Sequence, residues 1–201
     1  IDVCDEMKSI IPNVLQSYSW KKTMKWSTYE LSWARPLKSI LAIFNKKIVN
    51  FDFFHLKSSN FTYGSELLDE KIKKVIDFTS YLNFLKSSEI ILDHEKRRKI
   101  IISKFNSICE AKKFKKNFNE KLIEEVINLV ENPHIIVGKF DKNFLKIPPE
   151  ILTITMQQHQ RYFPLFDQHG TLTNFFLVVA NLPDKKKYIK IGNEKVIKAR
   201  L

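Results

Sequence analysis

Apolar residues recur along this chain at two spacings, three-to-four and two, and the switches between them mark the elements. Val3, Met7 and Ile10 repeat at helical spacing and predict a short amphipathic helix, closed by the turn Ile11-Pro12-Asn13. Residues 37–44 and 48–55 are short runs rich in β-branched and aromatic side chains around Asn45-Lys46-Lys47. They predict a β-hairpin, with Pro36 tolerated at its first position. Ile72, Val75, Ile76, Thr79 and Leu82 fall on one face, and Asp69 is the right residue type to cap such a helix. Residues 89–92 predict a short strand. Asp93 then caps a long helix through Lys113 that carries Arg97, Ile101, Phe105 and Ile108 along one side. Leu122, Ile123, Val126, Ile127 and Val130 make another amphipathic helix, stopped before Pro133.

The last third alternates. Residues 134–140 read as a strand. Pro148-Pro149 opens a helix in which Leu152, Thr155, Met156 and His159 share a face. Residues 162–166 and 174–180 read as strands around the turn Asp167-Gln168-His169-Gly170. Asn193 is positioned to cap a final helix with Val196, Ile197, Arg200 and Leu201. Helices and strands mixed without regular βαβ alternation predict an α+β fold with a mainly antiparallel sheet. The expected organisation is one α+β region, 1–201, of a larger chain. It is strand-rich over 20–60 and 133–182, helical over 69–132, and enters a further helix over 189–201.

Composition narrows the class. The chain has 201 residues, 44% of them hydrophobic, with 16 Phe but only 4 Gly and 7 Pro, which excludes fibrous and disordered polymers. Its apolar runs fall far short of the roughly 20 residues a membrane span requires. Cys4 and Cys109 are too few for a disulfide framework or a cysteine zinc site, and Cys109, beside Phe105 on a helical face, reads as core. The expectation is a soluble cytoplasmic piece with no membrane partner. Ile1 in place of Met reads as a fragment of a longer protein.

The net charge of +12 admits two readings. One is a polyanion partner, because clustered cations gain by releasing condensed counterions. The other is composition, since Lys outnumbers Arg 29 to 5 and Arg is the better bidentate phosphate ligand. The charge is segregated: residues 93–121 carry net +6 and 181–201 net +5, while 122–184 carry net −3. Trp20, Met24 and Trp26 interleave with Lys21, Lys22 and Lys25. That pattern suits a base-stacking platform, but half-buried rings with snorkelling lysines are the favoured reading.

Reactive chemistry finds little support. His55, His94, His134, His159 and His169 show no spacing that a helix would bring together around a metal. No Gly-x-Ser-x-Gly elbow occurs, and Gly64, Gly138, Gly170 and Gly192 stand alone, so no phosphate loop is present. Asn60-Phe61-Thr62 matches a glycosylation sequon that a cytosolic protein does not use. Two stretches are unusual for a plain core. His159-Gln160-Arg161-Tyr162-Phe163-Pro164 gathers hydrogen-bonding groups at a helix-to-strand junction. Residues 192–201 read as a helix start whose amides favour phosphate, with Lys195 and Lys198 in its first turns. Structural duties compete in both: Gln160 and Arg161 can satisfy exposed backbone, and Asn193 can be a plain cap.

Both stretches also resemble a known family. Residues 156–166, Val178-Val179-Ala180-Asn181 and Gly192-Asn193-Glu194-Lys195-Val196 through Ala199-Arg200-Leu201 are similar, in content and order, to the β subunit of bacterial heterotetrameric glycyl-tRNA synthetase. Met24-Lys25-Trp26, Trp33-Ala34-Arg35-Pro36, Glu124-Glu125-Val126 before Pro133, and Lys139-Phe140 extend the likeness over roughly residues 20–201. Two departures stand out. Ser27 occupies a place that is usually Gly, and Gly64-Ser65-Glu66-Leu67 stands where the family has Gly-His-Arg-Phe.

The resemblance implies a glycine–tRNA ligase whose class II active site, ATP and Mg²⁺ belong to the α subunit, with a second β subunit completing an α2β2 assembly. The β subunit supplies tRNA(Gly) binding and scaffolding. This fragment is expected to hold no catalytic residue, metal or cofactor of its own. The candidate tRNA contacts are Lys185, Lys186, Lys187, Lys190, Lys195, Lys198 and Arg200, with His159, Gln160 and Arg161 beside them. Two rivals remain. One is a purely structural module with Trp20, Trp26 and Trp33 as interface anchors. The other is a hydrolytic editing domain, weakened because glycine leaves a size sieve little to reject.

Overall fold

The computed structural model describes residues 2–65 and 72–201. They form two compact units, 1–88 and 89–201. Among the described residues every strand pairing but one is antiparallel, and helices pack beside small sheets, so the fold is α+β as expected.

The first unit opens with α1 (Val3–Ser17), capped by the Asp2 carboxylate, which accepts from the Cys4 amide at 2.9 Å. The helix does not stop at Pro12, where a turn was expected; Pro12 lies inside it. Proline removes one donor, the partner of the Lys8 carbonyl, and Lys8 is exposed. Ile11 before it and Leu15 beyond it pack with Cys4, Leu31, Val49, Phe51 and Phe53, which carries the helix through. Next come β1 (Ile40–Leu41), β2 (Ile43–Phe44), β3 (Lys47–Ile48), β4 (Asp52–Phe53) and β5 (Leu56–Ser59). β2 and β3 form the expected hairpin, turned through Asn45 and Lys46 with φ of 45° and 63°. Two left-handed residues match the twist of the flanking strands. The second expected strand is divided at Phe54, φ 51°, so β4 folds back on β5. Buried Ser58 is satisfied there. Its hydroxyl donates to the Val49 carbonyl at 2.7 Å and accepts from the Phe51 amide at 2.8 Å. Ser27 also has positive φ, 52°. That conformation favours glycine, so the Ser27 departure keeps the turn at a steric cost.

The helix expected from residue 72 onward is corrected. Ile72–Lys74 is a strand, β7, antiparallel to β6 (Phe61–Tyr63), with Ile72 opposite Tyr63. The apolar spacing 72, 75, 76 fits a helical period, and the cross-strand partner of Ile72 overrides it. The helix α2 (Phe78–Ser87) starts later, behind Asp77, which accepts from the Ser80 amide at 2.8 Å in a capping box. That hydrogen bond holds the Asp77 carboxyl below its usual range. Asp69, Glu66 and Leu67 lie outside the described residues.

The second unit is built on a three-stranded antiparallel sheet: β8 (His134–Lys139), β9 (Phe163–Phe166) and β10 (Leu172–Ala180), in the order β8-β10-β9. Strand alternation sends odd and even residues to opposite faces. Ile135, Val137, Phe163, Leu165, Phe175, Leu177 and Val179 pack against α3 (His94–Lys112) and α4 (Glu120–Ile127) through Ile101, Phe105, Cys109, Ile123 and Ile127. Ile136, Tyr162, Leu172, Phe176 and Val178 face the other way. They meet Leu152 of α5 (Pro149–Ile154), Met156 of the π-helical turn Thr155–His159, and Ile197 of α6 (Tyr188–Arg200). Asp93 and Asn119 cap α3 and α4, as expected for Asp93, and burial pushes the Cys109 thiol up.

The short strand expected at 89–92 does not form. The Ile91 amide makes one bond, to the Glu131 carbonyl at 2.9 Å, and the Arg97 guanidinium donates to the carbonyls of Ile91, Leu92 and Ile127. The acceptors a neighbouring strand would need are thereby occupied.

Candidate functional site

The two unusual stretches are the two halves of one joint in the second unit. After the π-helical turn, Arg161 takes a left-handed conformation, φ 58°. The Tyr162 amide reaches back to the Met156 carbonyl at 2.9 Å. The bond spans one residue more than the six-to-one closure of a Schellman end, and arginine stands in the left-handed place that glycine usually takes. The Arg161 guanidinium covers the end, donating to the Gln157 and Gln158 carbonyls, and its Nε lies 2.6 Å from Glu125 of α4. Gln160 is half-buried and His159 exposed.

Tyr162 then turns inward. Its ring stacks on Phe176, centroids 5.0 Å apart and planes at 16°, and its hydroxyl donates to Asn193 Oδ1. Asn193 Nδ2 donates to the Ile189 carbonyl at 2.6 Å, while Glu194 accepts the Lys139 amide at the end of β8 at 2.9 Å. With Ile197 fully buried, Asn193, Glu194 and Ile197 are the docking face of α6. At the sheet's end Asn181 plays a similar part, accepting the Glu131 and Asn132 amides at 2.8 and 2.9 Å.

Burial pushes the Tyr162 phenol up to about 12. Its folded pKa therefore exceeds the unfolded value near 10. The associated stability is fully present below pH ~10 and is lost as pH rises toward ~12. Alkaline unfolding of Tyr162→Phe is expected to begin at higher pH than that of the parent protein. Absorbance at 295 nm during a pH titration reads the phenolate directly.

The expected helix start at Gly192 and Asn193 is corrected: α6 begins at Tyr188, and Asn193 lies inside it. Lys195 is mid-helix and Lys198 is in the last turn. The amides at the true start are already taken. Asp184 accepts from Ile189 at 3.0 Å and Lys190 at 2.8 Å. A carboxylate thus sits where a phosphate was expected. Sequence reading passed over Asp184; its signal was an acid just ahead of a lysine run and an apolar helical repeat.

The candidate contacts now separate by surroundings. Lys185, Lys186, Lys187, Lys195, Lys198 and Arg200 are exposed and make no ion pair among the described residues. Lys190 is half-buried, 3.9 Å from Glu194. The two acids of this stretch, Asp184 and Glu194, are turned to backbone amides. The 93–121 stretch differs. Arg98 pairs with Glu120 and Glu124, Lys116 pairs with Glu110, and Arg97 is spent on carbonyls. The depression of about 620 Å³ along its outer side is lined by α3 alone, with Glu95 and Glu110 at its ends. Since α3 and α6 cover opposite faces of the sheet, the two basic stretches do not merge into one flat patch.

In the first unit the aromatic loop holds a ring cluster. Tyr18 stacks on Trp20 at 5.5 Å, Trp20 meets Trp33 at 5.1 Å, and Trp33 meets Phe53 at 5.8 Å. Trp26 and Trp33 pack on the core while Tyr18 and Trp20 stay exposed, so the rings divide between packing and surface. Among the described residues no group of three or more His, Cys, Asp or Glu is placed to hold a metal ion, and no helix is long and apolar enough to cross a membrane.

Comparison with known proteins places these motifs. Residues 2–201 match the family model described as glycyl-tRNA synthetase beta subunit. The chain is 40% identical to the glycine–tRNA ligase beta subunit of Rickettsia peacockii (strain Rustic). It is 39% identical to those of Rickettsia africae (strain ESF-5) and Rickettsia prowazekii (strain Madrid E). Each match covers 98% of this chain, which spans 30% of the length of those relatives. The match runs through both units and takes in the Tyr162–Asn193 joint, and on it the chain belongs to the glycyl-tRNA synthetase β-subunit family.

Proposed function

We propose that this chain is the part of a glycine–tRNA ligase β subunit that helps hold tRNA(Gly) and scaffolds the enzyme. The ATP- and Mg²⁺-dependent chemistry takes place on the α subunit of an α2β2 assembly in the cytoplasm. The observation that carries the reading is the outer side of α6 and the turn before it. Six exposed cations of residues 181–201 make no ion pair among the described residues, and the two acids of that stretch, Asp184 and Glu194, accept backbone amides. Such a surface attracts a phosphate backbone and orients an RNA without reading its bases. The buried joint behind it ties α6 to the sheet.

The test is tRNA(Gly) binding to the assembled enzyme over a range of salt concentrations. Replacing Lys185, Lys186 and Lys187 by Glu is expected to weaken binding and to flatten the log–log salt slope by about 2–3. An unchanged slope would remove this surface from the RNA interface.

The exposed Tyr18–Trp20 pair favours a second reading, in which the first unit docks on protein, since exposed Trp and Tyr are the usual anchors of such contacts. Hydrogen-exchange protection of residues 18–33 by the α subunit, and not by tRNA, would support it.

A further inference from the structure

The turn ahead of α6 carries more than charge. Tyr188, the first residue of the helix, is 71% exposed, and no other large apolar or aromatic side chain among the described residues is more so. It belongs to neither core cluster of its unit. Its neighbours Ile189 and Ile197 supply the packing of α6, so the ring has no part in holding the helix down. Lys185, Lys186 and Lys187 directly precede it in the chain, and the Lys186 ammonium lies 6.0 Å from the ring centroid.

The mounting is rigid. Lys187 is held in the left-handed region at φ 59°, its amide reaches the Asp184 carbonyl at 3.3 Å, and the Asp184 carboxylate accepts the amides of Ile189 and Lys190. A ring fixed at its backbone gives up little freedom when something stacks on it.

We propose that Tyr188 is a stacking platform for one unpaired base of the bound RNA, with lysines 185–187 holding the phosphates beside it. The inference rests on the RNA-binding reading above and adds to it the kind of RNA: a strand with a base out of its helix, rather than a continuous duplex. An aromatic face beside ammonium groups answers both halves of a nucleotide, and stacking is tolerant of base identity because every base has a π-face.

The test is tRNA(Gly) affinity of the assembled enzyme carrying Tyr188→Ala, Tyr188→Phe or the triple lysine reversal, each measured across salt. Tyr188→Ala is expected to weaken binding about 5- to 150-fold without changing the salt slope, because it removes a stacked base and no phosphate contact. Tyr188→Phe is expected to bind as the parent does, since the ring and not the hydroxyl is used. If the lysine reversal weakens binding while Tyr188→Ala does not, the platform is refuted and the phosphate surface stands. If neither variant changes binding, both fall. Equal weakening by Ala and Phe would also overturn the stacking claim, because it would assign the effect to the hydroxyl.

Discussion

Phe176→Ala is expected to destabilise the 89–201 unit by about 3–5 kcal/mol. Phe176 is fully buried on β10, the central strand. Its ring stacks on Tyr162 at 5.0 Å and faces Phe140 at 6.4 Å, so it ties the strand to both neighbours of the joint. Gly138, directly across the ladder, presents no side chain to fill the void. The cavity would therefore remain, and its cost adds to the lost transfer energy. Against a typical domain stability of about 5–15 kcal/mol the loss is large enough to populate the unfolded state. Urea unfolding followed by far-UV circular dichroism measures it; a midpoint shift equivalent to under about 1 kcal/mol would show that the joint is not the core of this unit.

The second prediction is the converse. Gly138→Ala is expected to destabilise the same unit by about 1–3 kcal/mol through overpacking. A Cβ at Gly138 would lie 2.4 Å from Cζ of Phe176 and 2.7 Å from its Cε2. The ring has nowhere to retreat, since Tyr162 covers it, so either it or the strand must move. Ordinarily the substitution would help by narrowing the unfolded ensemble, about 0.4–1 kcal/mol, and the clash has to outweigh that. Combining Gly138→Ala with Phe176→Leu should recover part of the loss, because the smaller side chain vacates the place the methyl needs. Additive losses in the double variant would place the strain elsewhere.

These two residues show where local pattern stops being informative. Asp93 ahead of an apolar helical repeat, and the paired turn residues Asn45 and Lys46 between β-rich runs, are signals carried by adjacent residues, and α3 and the β2–β3 hairpin form where they point. Ile72 has a helix's spacing to Val75 and Ile76. Its strand partner Tyr63 is nine positions earlier in the chain and invisible to a spacing argument. Residues 89–92 have a strand's composition, but Arg97 and Glu131 take up their backbone groups. Pro12 should break a helix, and packing of Ile11 and Leu15 overrides it. Asn193 has a cap's chemistry and spends it on a tyrosine hydroxyl 31 residues away.

The candidate site divides the same way. Which stretches are basic, that His159-Gln160-Arg161 and Gly192-Asn193-Glu194 are set apart from a plain core, and which family they resemble were legible in the residues alone, because composition and motif order are properties of the chain as written. That Arg161 is held by Glu125 and its own helix end, that Asp184 fills the expected phosphate position, and that the two basic stretches back onto opposite faces of one sheet emerged only on folding. The reason is physical. A side chain's charge is set by its own chemistry, whereas its availability depends on what long-range packing brings within hydrogen-bond reach, and strand alternation assigns neighbouring segments to opposite sides.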